Sequence, residues 1–125
     1  MNYYDEKPGW IEVICGPMFA GKTEELIRRV KRMEFAKKNF LVFKPSIDNR
    51  YSNTEVVSHA KQKISAININ NSRQIFDNIS KDIQCVVVDE VQFFDDEIVK
   101  VCKQLADLGL RVIVGGLDCD FRGNP

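Results

Sequence analysis

A glycine-rich segment near the amino terminus has the residue types needed to bind a phosphate chain. Residues 16–23 read GPMFAGKT, which matches G-x-x-x-x-G-K-[ST] at every fixed position. The glycines let successive backbone N–H groups face one anion, and the helix that follows adds its dipole. Lys22, which we expect in the loop, supplies a point charge for the β- and γ-phosphates, and the Thr23 hydroxyl can ligate Mg²⁺. The segment predicts a nucleoside triphosphate site and leaves the reaction open.

Two acids follow an apolar run later in the chain. Residues 85–90 read CVVVDE, the pattern of a strand buried on both faces and then carboxylates. Asp89, at the end of this strand, is predicted to hold magnesium directly or through water. Glu90 either takes the proton of an acceptor hydroxyl, as in a small-molecule kinase, or orients a water, as in an ATPase. The local residues leave both roles open.

A polar residue and two aromatics come directly after the acids. They are Gln92, Phe93 and Phe94. The aromatic rings are suited either to stacking on a nucleobase or to packing under the next helix.

Strands and helices alternate along the chain and must bring these residues together. Apolar residues spaced three and four apart predict helices, and short β-branched runs predict strands. Strands separated by helices imply βαβ units, so we predict an α/β fold with a mainly parallel central sheet flanked by helices. The predicted strands are 11–15, 40–44, 61–69 (an edge strand), 85–88 and 111–115; the predicted helices are 23–36, 72–80 and 95–108; 46–60 is a predicted loop.

The composition is that of one globular domain. The chain has 125 residues, of which 44% are hydrophobic, and 18 basic side chains balance 18 acidic ones. This argues against disorder and against a dedicated nucleic-acid binder. No window is apolar enough for a membrane span, and the polar amino terminus has no signal core. The cysteines form no C-x-x-C pair and predict a reduced, cytoplasmic protein; they are Cys15, Cys85, Cys102 and Cys119.

Four segments together resemble the zinc-containing thymidine kinases of cellular and bacterial type (type II). The segments are GPMFAGKT, DNRYS at 48–52, VVVDEVQFF at 86–94 and GGLDCDFRGNP at 115–125. The phosphate loop alone is unspecific, whereas GPMF within it together with DExQFF is specific. The resemblance covers essentially the whole chain. It implies a P-loop NTPase core of the RecA-like class that transfers the γ-phosphate of ATP to the 5′-hydroxyl of thymidine or deoxyuridine, which gives dTMP for nucleotide salvage and DNA synthesis.

The resemblance also implies roles for individual residues. Glu90 corresponds to the general base, and Asp89 with Thr23 to the magnesium ligands. A small apolar pocket would favour the 5-methyl group of thymine; the residues matching it are Met18, Phe93, Leu117 and Phe121. The residues matching the ATP site are Gly16, Pro17, Met18, Phe19, Ala20, Gly21, Lys22, Thr23, Asp48, Asn49, Arg50, Asp89, Glu90, Val91 and Gln92.

Members of this family carry a further small domain, with a four-cysteine zinc site and a lasso-like loop that grips the thymine. No cysteine here maps onto those zinc ligands, so we expect residues 1–125 to form the P-loop kinase core without that domain and without zinc ligands. The resemblance implies ATP and Mg²⁺ as cofactors, thymidine as substrate, a homotetramer, and no nucleic-acid or membrane partner.

Two other functions account for part of the pattern. The DExQ segment also resembles helicase-type motors, in which the glutamate activates water. Such sites lie between two domains and need about twice this length. A non-catalytic nucleotide-binding module is the third hypothesis, which gains weight only because the chain is short.

Overall fold

The computed structural model describes residues 9–16, 21–46, 55–57 and 63–116. In these ranges the chain forms seven strands, two α-helices and two 3-10 helices. The strands are β1 (Trp10–Cys15), β2 (Phe40–Pro45), β3 (Glu55–Val57), β4 (Lys63–Ser65), β5 (Ile67–Ile69), β6 (Cys85–Val88) and β7 (Arg111–Gly116). The α-helices are α1 (Lys22–Phe35) and α2 (Ile98–Asp107), and the 3-10 helices are Ser72–Asn78 and Val91–Phe93.

Five strands form one parallel sheet in the order β1-β7-β6-β2-β5. β7 lies between β1 and β6, with Val112 opposite both Ile11 and Val86. β2 pairs with β6 on one side and β5 on the other. Because all five strands run the same way, their carboxyl ends meet at one edge, where open α/β sheets bind ligands. The prediction of an α/β fold with a parallel sheet flanked by helices is confirmed.

Helices cover both faces of this sheet. On one face, Leu26 and Ile27 of α1 are fully buried and share a core with Val87 of β6. On the other face, Leu105 of α2 shares a second core with Val86. Alternate residues of β6 thus contribute to different cores, which explains why this strand is apolar at every position.

Five predicted elements form within one residue of their expected limits. They are β1, β2, β6, β7 and α1. The helix predicted at 72–80 is the 3-10 helix Ser72–Asn78, whose start is stabilised by a capping box between Asn71 and Gln74.

The segment after β2 departs from the prediction. Glu55–Val57, expected within a loop, forms β3 and pairs antiparallel with β4. The single edge strand expected at 61–69 is two strands, because β4 pairs with β3 whereas β5 pairs in parallel with β2. Ala66, between them, is where the chain changes from one sheet to the other. The remainder of the predicted loop, at 47–54 and 58–60, lies outside the described residues.

α2 begins at Ile98, three residues later than predicted. The Asp95 carboxylate instead accepts hydrogen bonds from the Ser72 N–H and hydroxyl, both at 2.8 Å. These bonds tie the start of α2 to the longer 3-10 helix. Burial raises the pKa of Asp95, but the hydrogen bonds that its carboxylate accepts, first those from Ser72 and then those from the backbone of Asp95 and Glu97, together bring the pKa below the ordinary 3.8.

The cysteines differ from one another. Cys85 and Cys102 are free and buried, and burial raises the pKa of each thiol to about 12. Cys15 is disulfide-bonded. The prediction of reduced cysteines is therefore wrong at Cys15, because sequence spacing carries no information about which side chains meet in space. Cys119 lies outside the described residues.

Candidate active site at the carboxyl edge of the sheet

Two glycines enclose the predicted phosphate loop. Gly16 follows β1 with φ 145°, and its N–H donates to the Gly116 carbonyl at 3.2 Å. Gly21 has φ 84° and ψ 8°, a left-handed conformation that glycine adopts without strain, and caps α1. The loop is thus attached to the end of β7 at one side and to the first turn of α1 at the other.

α1 starts at Lys22, directly after Gly21. The prediction that Lys22 lies in the loop is wrong, because Gly21 completes the turn and Lys22 already has helical geometry. Thr23 is the second helical residue and is half-buried. The first N–H groups of a helix lack intrahelical acceptors and lie at the positive end of its dipole, which favours an anion at this point.

A buried ion pair joins α1 to β6. Lys22 Nζ lies 3.1 Å from Asp89 Oδ1, and the two side chains are only 8% and 5% exposed. Asp89 directly follows β6, and its N–H donates to the Phe43 carbonyl at 2.9 Å. The structure therefore brings together the two charged residues that were predicted from motifs 67 positions apart.

Gly115 makes room for the Asp89 carboxylate. A Cβ placed on Gly115 would lie 2.9 Å from Asp89 Oδ1 and 3.6 Å from Leu26 Cδ1. Sequence analysis did not identify Gly115 as a site residue. The available signal was the pair of glycines that ends the apolar strand RVIVGG.

Glu90 has an unusual backbone conformation beside this pair. Its φ of 53° and ψ of 46° are left-handed, which costs a non-glycine residue about 1 kcal/mol or more and is concentrated at functional sites. Its N–H donates to Asp89 Oδ1 at 2.8 Å. Burial, followed by the charge of Asp89, raises the pKa of Glu90 above its ordinary 4.5, and Lys44 and Lys22 oppose that rise. A carboxylate with a raised pKa is a better proton acceptor at neutral pH.

Lys44 is a second cation at this edge that sequence analysis missed. It is half-buried in β2, next to Phe43, and Phe43 lies opposite Val88 of β6. Its charge acts on the Glu90 carboxyl. The sequence contained a signal for Lys44 as a site residue. Lys44 directly follows the apolar run FLVF, just as Asp89 directly follows CVVV, so both residues lie at the carboxyl ends of their strands.

The residues after Glu90 form the short 3-10 helix. Phe93 is 53% exposed, whereas Phe94 is half-buried and packs against the core under α2. The two aromatics therefore have different roles: Phe94 packs in the core, and Phe93 is available at the surface. Val91 is half-buried and Gln92 is exposed.

Several predicted site residues lie outside the described part of the chain. They are Pro17, Met18, Phe19 and Ala20 of the phosphate loop, Asp48, Asn49 and Arg50 after β2, and Leu117 and Phe121 after β7. Their roles remain predictions.

The donor set at this edge suits magnesium and not zinc. Mg²⁺ is bound through oxygen, typically by one or two carboxylates together with substrate phosphates and water. Asp89 provides a carboxylate and Thr23 a hydroxyl beside the loop. Among residues 9–16, 21–46, 55–57 and 63–116, no group of three or more His, Cys, Asp or Glu side chains could hold a metal ion, so no zinc site is found there.

Comparison with models of known protein families covers most of the chain. Residues 9–125 match the family model described as thymidine kinase. The match includes the phosphate loop, the acidic pair and Lys44. Within the described ranges, no helix has both the length and the apolar character needed to cross a bilayer.

Proposed function

The chain belongs to the thymidine kinase family, whose members are ATP-dependent phosphotransferases, and from this premise we propose that it transfers the γ-phosphate of ATP to the 5′-hydroxyl of thymidine or deoxyuridine. The product from thymidine is dTMP, a precursor for DNA synthesis. The observation that supports this most directly is the buried Lys22–Asp89 pair beside Glu90. Family membership selects the kinase over the helicase-type motor and the non-catalytic module.

In this proposal the ATP phosphates bind between the two glycines of the loop. Gly16 turns the backbone at the start of the loop, Gly21 and the first N–H groups of α1 bind the phosphate oxygens, and Lys22 neutralises the γ-phosphoryl group during transfer. Pro17, Met18, Phe19 and Ala20 complete the loop, and Asp48, Asn49, Arg50, Val91 and Gln92 complete the ATP site.

Asp89 and Thr23 are the proposed ligands of Mg²⁺. The ion supplies neutralisation of the charge on the phosphates when it is bound. Asp89 also keeps Lys22 next to the loop, because a buried carboxylate and ammonium hold each other in place. Asp89 thus helps to position both cations that neutralise the phosphates, Lys22 and Mg²⁺.

Glu90 is the proposed general base. Its half-buried carboxylate accepts the proton of the 5′-hydroxyl as that oxygen bonds to phosphorus, and the phosphorus–oxygen bond to ADP breaks. The left-handed backbone of Glu90 fixes the direction in which the side chain leaves the strand end.

The thymine pocket is proposed to be lined by Met18, Phe93, Leu117 and Phe121. The exposure of the Phe93 ring supports its part, since a ring already packed in the core has no free face for a base.

The remaining proposals concern the molecule as a whole. We propose that residues 1–125 form one P-loop kinase core, that the protein assembles as a homotetramer, and that it acts in the cytoplasm on thymidine and ATP without nucleic-acid or membrane partners.

A nucleoside panel tests the proposed function. The protein is incubated with ATP and Mg²⁺ and with thymidine, deoxyuridine or deoxycytidine, and nucleoside monophosphates are separated by chromatography. We expect phosphorylation of thymidine or deoxyuridine and little of deoxycytidine, whose exocyclic amine presents a different hydrogen-bonding edge. Absence of any monophosphate product would overturn the proposal.

A further inference from the structure

A cavity of about 480 Å³ lies at the amino edge of the sheet, opposite the candidate active site. Its lining includes Trp10, Cys85 and Arg111, which are the first residues of β1, β6 and β7. Because β1 has six residues, about 17 Å of strand separate this cavity from the phosphate loop. The volume lies within the range of sites that bind small ligands, roughly 300–1,000 Å³. The cavity is therefore large enough for a second ligand, away from the proposed ATP site.

An aromatic side chain at this cavity is held in one orientation. Trp10 Nε1 donates to Glu12 Oε2 at 2.6 Å, and Glu12 also binds Arg111. The polar atom of the indole is thus bonded within the protein, yet 54% of Trp10 remains exposed. The indole has apolar surface left for contact with a flat ring, and its orientation is already fixed.

Two lysines at the cavity have no partner for their charge. Lys38 follows α1 and Lys81 precedes β6, and both are exposed. In the described part of the chain, neither ammonium group makes an ion pair or a hydrogen bond. The acid next to Lys81 in sequence, Asp82, instead accepts a hydrogen bond from the Ser80 hydroxyl. Two unpaired ammonium groups favour a doubly charged anion, and a phosphate monoester carries nearly two negative charges at pH 7.

The rest of the cavity lining is largely apolar. Met33 and Leu110 are buried, Ile83 is half-buried, and Leu108 adds an apolar side chain that is 68% exposed. An apolar lining with a few polar groups is the usual composition of a small-molecule site. A ligand that fits therefore has a flat apolar body and an anionic group at one end.

We propose that this cavity binds a phosphate monoester that carries an aromatic ring: the ring packs against Trp10, and Lys38 and Lys81 hold the phosphate. We name it the amino-edge site, and define it by these three residues with Ile83 and Leu108. A simple aryl phosphate and a nucleoside monophosphate share this chemistry. The site is independent of the proposed kinase activity, because none of its residues belongs to the candidate active site.

The fluorescence of Trp10 tests the proposal, because Trp10 is the only tryptophan in the chain. Phenyl phosphate and adenosine monophosphate are titrated separately, and the tighter ligand identifies the source of the phosphate monoester. Inorganic phosphate and benzyl alcohol represent the anionic and aromatic halves alone. We expect a saturable change in emission with at least one monoester, at a concentration roughly tenfold or more below that needed for either half. The absence of a saturable change with both monoesters, or an equal affinity for inorganic phosphate, would overturn the proposal.

A double variant tests the role of the lysines. Lys38→Met combined with Lys81→Met should raise the Kd of the tighter monoester by roughly tenfold or more, since two charge-assisted hydrogen bonds are lost. Lys100→Met combined with Lys103→Met is the matched control, because both lysines are exposed on α2 and neither lines the cavity. We expect the control to leave the Kd unchanged. Equal losses of affinity in the two double variants would show that only net charge attracts the ligand, and would overturn the site.

Trp10→Leu tests the contact with the ring, with calorimetry as the measurement because the fluorescent group is removed. We expect the Kd of the same monoester to rise severalfold, while the weak binding of inorganic phosphate changes little. Thermal unfolding midpoints of all three variants show whether each remains folded, as expected for exposed positions. An unchanged Kd for the monoester in folded Trp10→Leu would overturn the proposed packing of the ring on Trp10.

Discussion

Lys22 neutralises a buried carboxylate in addition to its proposed role at the phosphate loop. With 8% of its surface exposed and Asp89 at 3.1 Å, it is part of the folded interior. Removal of one member of a buried ion pair leaves the other charge unpaired, which typically costs about 3–5 kcal/mol. We therefore expect Lys22→Ala to lower the free energy of unfolding by about 3 kcal/mol, measured by urea denaturation, and also to abolish most turnover.

A double variant separates the two effects of Lys22. In Lys22→Met with Asp89→Asn, no buried charge is left without a partner, so most of the lost stability should return while turnover stays low. Normal turnover in Lys22→Ala would contradict the assignment of the loop.

Glu90 is expected to reduce stability at neutral pH. Its pKa is raised above the ordinary 4.5, mainly by burial and then by Asp89, so the folded protein binds the Glu90 proton more tightly than the unfolded chain does. The stability linked to this proton is fully present below the unfolded pKa and is lost as the pH rises through the folded pKa. Glu90→Gln removes the charge, so the variant should be more stable than the unaltered protein at pH 7.

The comparison of the two proteins at several pH values checks this sign. Urea unfolding should show the advantage of Glu90→Gln at pH 7, and the advantage should shrink as the pH falls below about 4, where the carboxyl group becomes protonated in both states. A variant that is less stable at pH 7 would show that the Glu90 charge is stabilised in the fold.

At the scale of elements, the end of β7 determines how closely Asp89 approaches the sheet. Gly115→Ala would place a Cβ 2.9 Å from Asp89 Oδ1, so the carboxylate that pairs with Lys22 or the end of β7 must shift. We expect Gly115→Ala to lower turnover strongly and the free energy of unfolding only modestly. A displaced Asp89 carboxylate disturbs the ion pair with Lys22 and the proposed Mg²⁺ ligand more than it disturbs the packing of the core. Activity and urea unfolding are measured on the same preparations.

Val112→Ala is the control on the same strand. Val112 is fully buried in the core beneath α2, away from Asp89. It should reduce stability by about 1–3 kcal/mol while leaving the kcat of the folded protein unchanged. Equal losses of turnover in both variants would mean that β7 affects the site only through general stability.

The motif residues could be predicted because each depends on local sequence. Gly16, Lys22 and Asp89 follow from a strand, a turn and an acid within a few positions, and the structure brings Lys22 and Asp89 together. Gly115 and Lys44 could not be predicted in this way. Their proximity to the acidic pair depends on the strand order, with β7 and β2 on either side of β6, and strand order is a property of the folded sheet.

Long-range polar contacts are a second limit on prediction. Glu12 on β1 binds Arg29 of α1 at 2.7 Å and also binds Arg111 of β7. In the sequence, Glu12 and Arg29 are ordinary charges on strand and helix surfaces. Likewise, the bond from Ser72 to Asp95 delays the start of α2, although the local pattern continues to favour a helix from residue 95.

At the scale of the whole molecule, the buried thiols report on global unfolding. Cys85 and Cys102 lie in the cores on opposite faces of the sheet, and burial raises the pKa of each to about 12. At pH 8 we expect neither thiol to react with iodoacetamide in the native protein, because only a thiolate attacks and the reagent cannot enter. Both should be labelled together in urea, which peptide mapping by mass spectrometry would detect. Fast labelling of one thiol in the native state would show that one face opens separately.

The acidic pair and the phosphate loop are proposed to act together in phosphoryl transfer to a nucleoside. The most direct measurement uses ATP that is isotopically labelled in its γ-phosphate. The label is followed in the presence of Mg²⁺ and thymidine, and the unaltered protein is compared with Glu90→Gln. We expect the label to appear in dTMP only when thymidine is present, and Glu90→Gln to lower this rate by roughly 10²–10⁴-fold while ATP binding, measured by calorimetry, is retained. Label released as inorganic phosphate at the same rate with or without thymidine, and unaffected by Glu90→Gln, would contradict it.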